Sequence, residues 1–245
     1  MSLPPPRPRS TGPWLPGVHS APNIQSAPTV YELENLALDR ARLITDAMWT
    51  FSPWDHAVVC DLGAGTGFWC SEFQAAARHV FAVEPHGPSR LLASVRLAKH
   101  RWENVSVLAG SASKTHLASN SVDLVHARFA YFWGPGCEPG VSEVQRILRP
   151  GGSFIVIDND LRTGTFASWL KRLPARYQRD PDIIDAFWRD QGFEAKTVRS
   201  SWHFDRRSDL EAVVKLELPS IADAVLAEHK GLQVDYGFRL FLKRY

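Results

Sequence analysis

Cysteine is scarce, with three in 245 residues and no C-x-x-C pair. That excludes a disulfide framework and a thiolate zinc site, and implies reduced thiols and no metal. No uninterrupted apolar run approaches the roughly 20 residues of a membrane-spanning helix, and the first residues offer no apolar signal segment. The expectation is a cytoplasmic protein with no membrane contact. Charge of one sign is also missing. Lys and Arg number 28 against 26 Asp and Glu, a net +2, so no broad field draws nucleic acid. The pairs Arg206-Arg207 and Lys243-Arg244 read as solvated surface. No internal repeat is present.

Proline is abundant but uneven, with eight of 17 falling in residues 1–28. Such a segment resists helix and sheet, so residues 1–28 are expected to form an extended or partly disordered arm. The remaining 29–245 is long enough for one α/β domain with a full core.

The most informative stretch is Val58-Val59-Cys60-Asp61-Leu62-Gly63-Ala64-Gly65-Thr66-Gly67-Phe68. An apolar run ends in an aspartate, three glycines follow at alternate positions, and a helix is expected from about Phe68. The pattern describes a buried strand, a turn with no room for side chains, and a helix N-terminus whose N–H groups suit an anionic or electron-rich ligand. A dinucleotide fingerprint needs G-x-G-x-x-G, and its third glycine position is Phe68 here. A dehydrogenase is therefore the weakest reading. Val80-Phe81-Ala82-Val83-Glu84-Pro85 is a second buried strand closed by an acid. Glu84 follows Gly65 by 19 residues, close to the interval at which an α/β unit sets a carboxylate on a ribose diol. Each oxygen of a carboxylate can accept from one hydroxyl.

Further strands follow. Val105–Ala109 leads into a turn at Gly110-Ser111-Ala112, and Ser121–His126 makes a fourth. A helix ending at Leu148-Arg149-Pro150-Gly151-Gly152 precedes a fifth, Ser153–Asp158. The D-x-G-x-G-x-G loop, the acid after the second strand and the L-R-P-G-G stop, in this order over residues 58–158, resemble the class I S-adenosylmethionine-dependent methyltransferases. The resemblance implies a doubly wound, mostly parallel seven-stranded α/β sheet of order 3-2-1-4-5-7-6. Strand 7 would be antiparallel and an N-terminal helical lid would cover the pocket. It implies S-adenosylmethionine as cofactor, held by Asp61, Gly63, Gly65, Gly67, Glu84, Ser111, Ala112 and Arg128. One departure stands out: the family often carries Gly-Asp-Ala after strand 3, with the aspartate accepting from the adenine amino group. Ser111 can accept the same bond without charge assistance.

Towards the N-terminus, Thr29 is a candidate helix cap, and Val30, Leu33 and Ala37 recur at helical spacing, in a helix expected to end by Ser52-Pro53. Tyr31 on it is a candidate lid residue, or ordinary core. Beyond Asp160, Phe166–Leu173 and Pro181–Gln191 read as helices, the latter closed by Gly192. Phe193–Phe204 reads as a strand, Leu210–Lys230 as helical turns broken at Pro219, and Val234–Leu242 as a last strand.

An activated methyl donor asks the protein to align an acceptor, exclude water and, where needed, remove a proton. Acceptor contacts belong at the carboxyl ends of strands 4 and 5. Candidates there are His126, Tyr131 and Asp160 for catalysis, with Trp133 and the other aromatics as pocket walls. Each has a plainer reading. His126 can be a bonded strand-end histidine, Tyr131 and Trp133 core, and Asp158 and Asp160 turn formers. Arg128 can meet the cofactor, an acceptor anion, or Glu138 or Asp158. The leading expectation is an enzyme methylating a small molecule on O, N or C. The alternatives are an RNA or protein methyltransferase, disfavoured by the near-neutral charge and by His126-Ala127-Arg128-Phe129 where N-P-P-Y would stand, and a non-catalytic cofactor-binding module.

Overall fold

The computed structural model describes residue 18 and residues 20–245. Most of the proline-rich stretch expected as an arm lies outside the described residues, but its end is ordered: Pro22–Ser26 forms a short helix, α1, and Pro28 opens α2 (Pro28–Ala37). Proline at the first helical position loses no bond, because that N–H has no partner inside a helix.

Seven strands follow: β1 (Val58–Leu62), β2 (His79–Glu84), β3 (Val105–Ala109), β4 (Val122–Arg128), β5 (Leu148–Asn159), β6 (Glu194–His203) and β7 (Gln233–Arg244). They form one sheet in the order β3-β2-β1-β4-β5-β7-β6. Strands β1 to β5 pair in parallel, and β7 runs antiparallel between β5 and β6. Both order and direction match the expectation. Every residue of β1 is buried, as a central strand covered on both faces requires.

Alternation along the strands sorts the core into two layers. Val59, Leu124, Ile155 and Ile157 face one side, with α3 (Leu43–Phe51), α4 (Cys70–Gln74), α9 (Arg207–Glu217) and α10 (Ala222–Glu228). Cys60, Val125, Ala127, Phe154 and Val156 face the other, beneath α6 (Glu138–Ile147) and α8 (Pro181–Asp190). α5 (Gly87–His100) packs on β2 and β3, and α7 (Gly164–Leu170) on β7.

Four local expectations are corrected. Thr29, the expected cap, lies inside α2, whose cap position is Ala27. The single helix expected to run to Ser52-Pro53 is two, α2 and α3. Leu38 leaves the helix to bridge Trp202 of β6, and Asp39 takes a left-handed φ of 53°. The Asp39 carboxylate then accepts from the N–H groups of Leu43 (3.0 Å) and Ile44 (2.8 Å), so the residue that ends one segment caps the next. The fifth strand begins at Leu148, not Ser153. Pro150-Gly151-Gly152 lies within it, and the pairing slips between Val122–Leu148 and Leu124–Ser153. Gly151 at φ 82° absorbs the slip, while a Cβ on Gly152 would meet the Asp123 carbonyl at 3.1 Å. Finally, the helix after the glycine loop starts at Cys70 and has five residues. Turn bonds from Gly67 to Ala64 and from Ser71 to Phe68 fill the interval, so loop backbone, not a helix dipole, faces a ligand there.

Asp39 supplies a test. Asp39→Ala should cost about 1–2 kcal/mol in urea unfolding, the usual cost of losing a cap. Burial pushes the Asp39 carboxyl up despite its bonds to Ser200, Leu43 and Ile44. Asp39→Asn, which keeps an acceptor without a buried charge, should therefore cost less than Asp39→Ala.

Candidate active site

The loop after β1 explains its glycines. Gly63, Gly65 and Gly67 have φ of 81°, 56° and 73°, a region that side chains disfavour. Each also has a close neighbour. A Cβ on Gly63 would stand 2.5 Å from Ala130 Cβ, and one on Gly65 would stand 2.6 Å from Ile24 Cδ1. The loop is thus gripped between the segment after β4 and the helix α1. The N–H groups of Gly63 and Ala64 bond the Val83 carbonyl at the end of β2.

Glu84 closes the cradle. Its Oε2 accepts from the Gly65 N–H (2.9 Å) and its Oε1 from the His86 N–H (2.8 Å). Burial pushes the carboxyl up, and those two bonds pull it back. Each oxygen keeps a second lone pair for a diol. Arg90 fixes the strand end by donating to the carbonyls of Glu84 and Pro85. Ala109 of β3 pairs with Glu84, which brings the turn at Ser111 and Ala112 alongside. Ser111 and Lys114 exchange backbone bonds, and the half-buried Ser111 hydroxyl lies 3.5 Å from that of Ser113. Glycine loop, carboxylate and turn therefore stand side by side at the carboxyl ends of β1, β2 and β3, the edge where open α/β sheets bind ligands.

Asp61 and His126 are joined to each other. His126 Nδ1 lies 2.9 Å from Asp61 Oδ1, both residues are buried, and the Cys70 thiol approaches Asp61 Oδ2 at 3.8 Å. The His126 ring stacks on Trp69 and leans on Phe73, and its Nε2 is buried with no hydrogen-bond partner. The pair ties β1 to β4 beneath the loop. Asp61 and His126 thus bond each other at the base of the loop.

The other candidates divide in the same way. Asp160 accepts from the Arg162 N–H (3.1 Å) and the Thr163 hydroxyl (2.5 Å), while its own N–H bonds the Gly237 carbonyl. That is turn chemistry. Asp158 is held by both arms of Arg179 at 2.6 and 2.8 Å, so it is no partner of Arg128. Tyr131 packs against Phe132 and over Gly140 on α6, and burial raises its phenol. Phe129 and Tyr131 hold φ of 50° and 55°, uncommon for aromatic residues, around the Ala130 that touches Gly63. Trp133 is half-buried in the same segment.

Arg128 points towards the N-terminal helices. It donates to Asn35 Oδ1 on α2, and its guanidinium lies 5.1 Å from the Trp69 ring and 5.0 Å from that of Phe129. Around it stand groups that sequence patterning does not single out: Glu34 on α2, Glu217 on α9, and Tyr236 on β7, with Tyr31 beside them. Glu34, Glu217, Tyr31 and Tyr236 are all pushed up by burial, and Arg128 offsets part of that push in each. Tyr236 donates to Asn159 at the end of β5, and the Asn23 amide donates to Glu217 at 2.9 Å. Among the described residues no group of three or more His, Cys, Asp or Glu side chains is placed to hold a metal.

Comparisons with known proteins agree with this geometry. Residues 59–152 match the family model described as a methyltransferase domain. An uncharacterized methyltransferase of Mycobacterium bovis is 34% identical over 128 residues, 51% of this chain and 49% of that protein. A malonyl-[acyl-carrier protein] O-methyltransferase of Methylococcus capsulatus is 31% identical over 96 residues, 39% of this chain and 35% of that protein. The chain spans about half or less of the length of these curated relatives. Among solved structures, a SAM-dependent methyltransferase from Aquifex aeolicus aligns with a TM-score of 0.55 at 16% identity, covering 86% of this chain and 97% of the other. At that identity the likeness is one of fold. Residues 59–152 are thus similar to a methyltransferase domain, and the sheet order and glycine loop accord with that match.

Proposed function

We propose that the protein binds S-adenosylmethionine on the Gly63–Gly67 loop and transfers its methyl group to a small-molecule acceptor. The observation that carries this reading is the bond from the Gly65 N–H to Glu84. It sets a carboxylate with a second lone pair on each oxygen beside a backbone loop that three glycines at positive φ make possible. When bound, the cofactor supplies a methyl group already activated on sulfur. The chain has to hold the cofactor, seat the acceptor in line and keep water out. Gly63, Gly65 and Gly67 would hold the methionine portion, Glu84 the ribose hydroxyls, and Ser111 and Ala112 the adenine edge. Arg128, with no carboxylate bonded to it, is the cation for the cofactor's own carboxylate. The net charge of +2 favours a small acceptor over RNA. Among the described residues no helix is long and apolar enough to cross a membrane.

Calorimetry with S-adenosylhomocysteine tests the cofactor site. Gly65→Arg should abolish binding, and Glu84→Ala should weaken it by about 1–3 kcal/mol, the cost of unpaired polar groups. NADH should not bind. Wild-type affinity in Gly65→Arg would refute the placement.

The bonding of Asp160 and His126 generates a second test. A catalytic Asp160 would lower kcat as Asp160→Asn and leave stability alone. Because its carboxylate is spent on Thr163 and Arg162, we expect the reverse: a lower unfolding midpoint and kcat within a few-fold of wild type. His126→Ala, which leaves Asp61 buried without its partner, should cost stability by about 1–3 kcal/mol, read from urea unfolding. The same protocol applied to Tyr131→Phe separates an acceptor contact, seen in kcat, from core packing, seen in stability.

A further inference from the structure

The polar cluster beneath α2 is unusual for a helix interface. Of the three buried residues of α2, two are Glu34 and Asn35. Glu34 is only 4% exposed, and its Oε2 is buried with no hydrogen-bond partner. The packing of α2 on α9 brings Glu34 to the side of Glu217, and burial together with the Glu217 charge pushes the Glu34 carboxyl up, towards a pair that holds one proton. Arg128, the nearby cation, bonds Asn35 and lies against the rings of Trp69 and Phe129, with no ion pair to either acid. Tyr31 and Tyr236 complete the surroundings, and Tyr236 stacks parallel to Phe129. The site is therefore rich in acceptors and aromatic faces, and Arg128 and Asn159, the last residues of β4 and β5, reach it through Asn35 and Tyr236.

The ligand that complements such a site carries positive charge and N–H donors and brings no acceptor of its own. An anion would be repelled by the negative charge the pair retains, and a neutral alcohol would leave that charge unanswered. An ammonium group answers both acids and can rest on the aromatic faces.

We propose that Glu34 and Glu217 form the acceptor-binding pair of this enzyme and that the acceptor is an amine, entering as its ammonium ion. The proposal rests on the reading of the protein as an S-adenosylmethionine-dependent methyltransferase. In the bound state the ammonium donates to both carboxylates, and the proton the pair had shared leaves to solvent. Glu34 then takes one N–H proton, which frees the nitrogen lone pair. The nitrogen forms a bond to the methyl carbon, the carbon–sulfur pair remains on sulfur, and the amine leaves methylated and cationic. Glu34 returns its proton to water. Asn23, bonded to Glu217 from α1, carries acceptor binding to the helix that rests on Gly65.

The pair also sets a pH dependence. The groups facing Glu34 are Glu217, Arg128, Tyr31 and Tyr236. Burial and the Glu217 charge raise the Glu34 pKa, so the folded state holds its proton at pH values where the unfolded chain has lost it. Stability from this group is full below the ordinary glutamate range and falls as pH rises above it. Glu34→Gln should flatten that part of the stability profile.

Three measurements on the full chain decide the matter. S-adenosylhomocysteine binding by calorimetry tests the underlying reading; if wild type does not bind it, that reading fails first. Labelled methyl transfer into a metabolite extract, with the products sorted by chemical class, tests the acceptor. N-methylated amines support the proposal. O-, S- or C-methyl products overturn it, as does the absence of any product from a protein that binds S-adenosylhomocysteine. Glu34→Gln and Glu217→Gln should bind S-adenosylhomocysteine within three-fold of wild type and raise KM for the identified amine at least 30-fold. The isosteric amide keeps the fold testable at both positions. Unchanged KM in both variants would overturn the assignment.

Discussion

One hydrogen bond organises the cofactor edge: the Gly65 N–H to the Glu84 carboxylate. It joins the tip of the loop after β1 to the end of β2, and it forms only because Gly65 has no side chain and a left-handed φ. With the Val83 carbonyl accepting from Gly63 and Ala64, the loop is fixed along its length before any ligand arrives. Preorganised backbone donors and a positioned carboxylate need little reordering when a ligand binds. Below the loop, Asp61 and His126 brace β1 against β4. Above it, Ile24 rests on Gly65. The loop thus has support on both sides and rigidity at its base.

The sheet was legible in the sequence because a parallel core leaves strong marks. Strands buried on both faces read as continuous apolar runs, and Val58–Leu62 and Val80–Glu84 are such runs. The glycines and Glu84 were legible because spacing alone carries their geometry. What spacing could not carry was partnership. Asp61 looked like a ligand of the cofactor and His126 like a base, yet each is the other's partner across β1 and β4. Asp160 looked like a catalytic acid at a strand end, and Thr163 and the Arg162 N–H take up its carboxylate. For His126 and Asp160 the sequence offered both a catalytic and a plainer structural reading, and only the folded chain supplies the partners each side chain has.

Glu34 and Glu217 were illegible for a further reason. A glutamate on a helix ordinarily lies on its solvated face, and nothing local in Leu33-Glu34-Asn35 marks inward orientation. Only the packing of α2 on α9 brings the two carboxyls together. The break at Leu38 and Asp39 was hidden in the same way. The helical spacing of Val30, Leu33 and Ala37 runs up to it, and the bridge to Trp202 that ends it belongs to tertiary structure.

The two N-terminal helices are held by different forces, and the difference bears on access to the site. α3 buries Ile44 and Met48 completely, so burial of apolar surface anchors it at roughly 2 kcal/mol per side chain. α2 buries little but Glu34, Asn35 and Ala37. Polar contacts tie it down, Arg128 to Asn35 and Arg96 to Glu32 at 2.8 Å, and α1 before it is held by Asn23 to Glu217. Such bonds exchange with water at small net cost, about 1 kcal/mol each. The first segment to open should therefore be α1 and α2, hinged where Leu38 and Asp39 pin the chain to β6. Opening there uncovers Gly65 and the Glu34–Glu217 pair together, the two places where cofactor and acceptor are proposed to bind. A helix that spends its buried positions on a glutamate and an asparagine gives up stability, and proteins commonly do so where a site must both close and release.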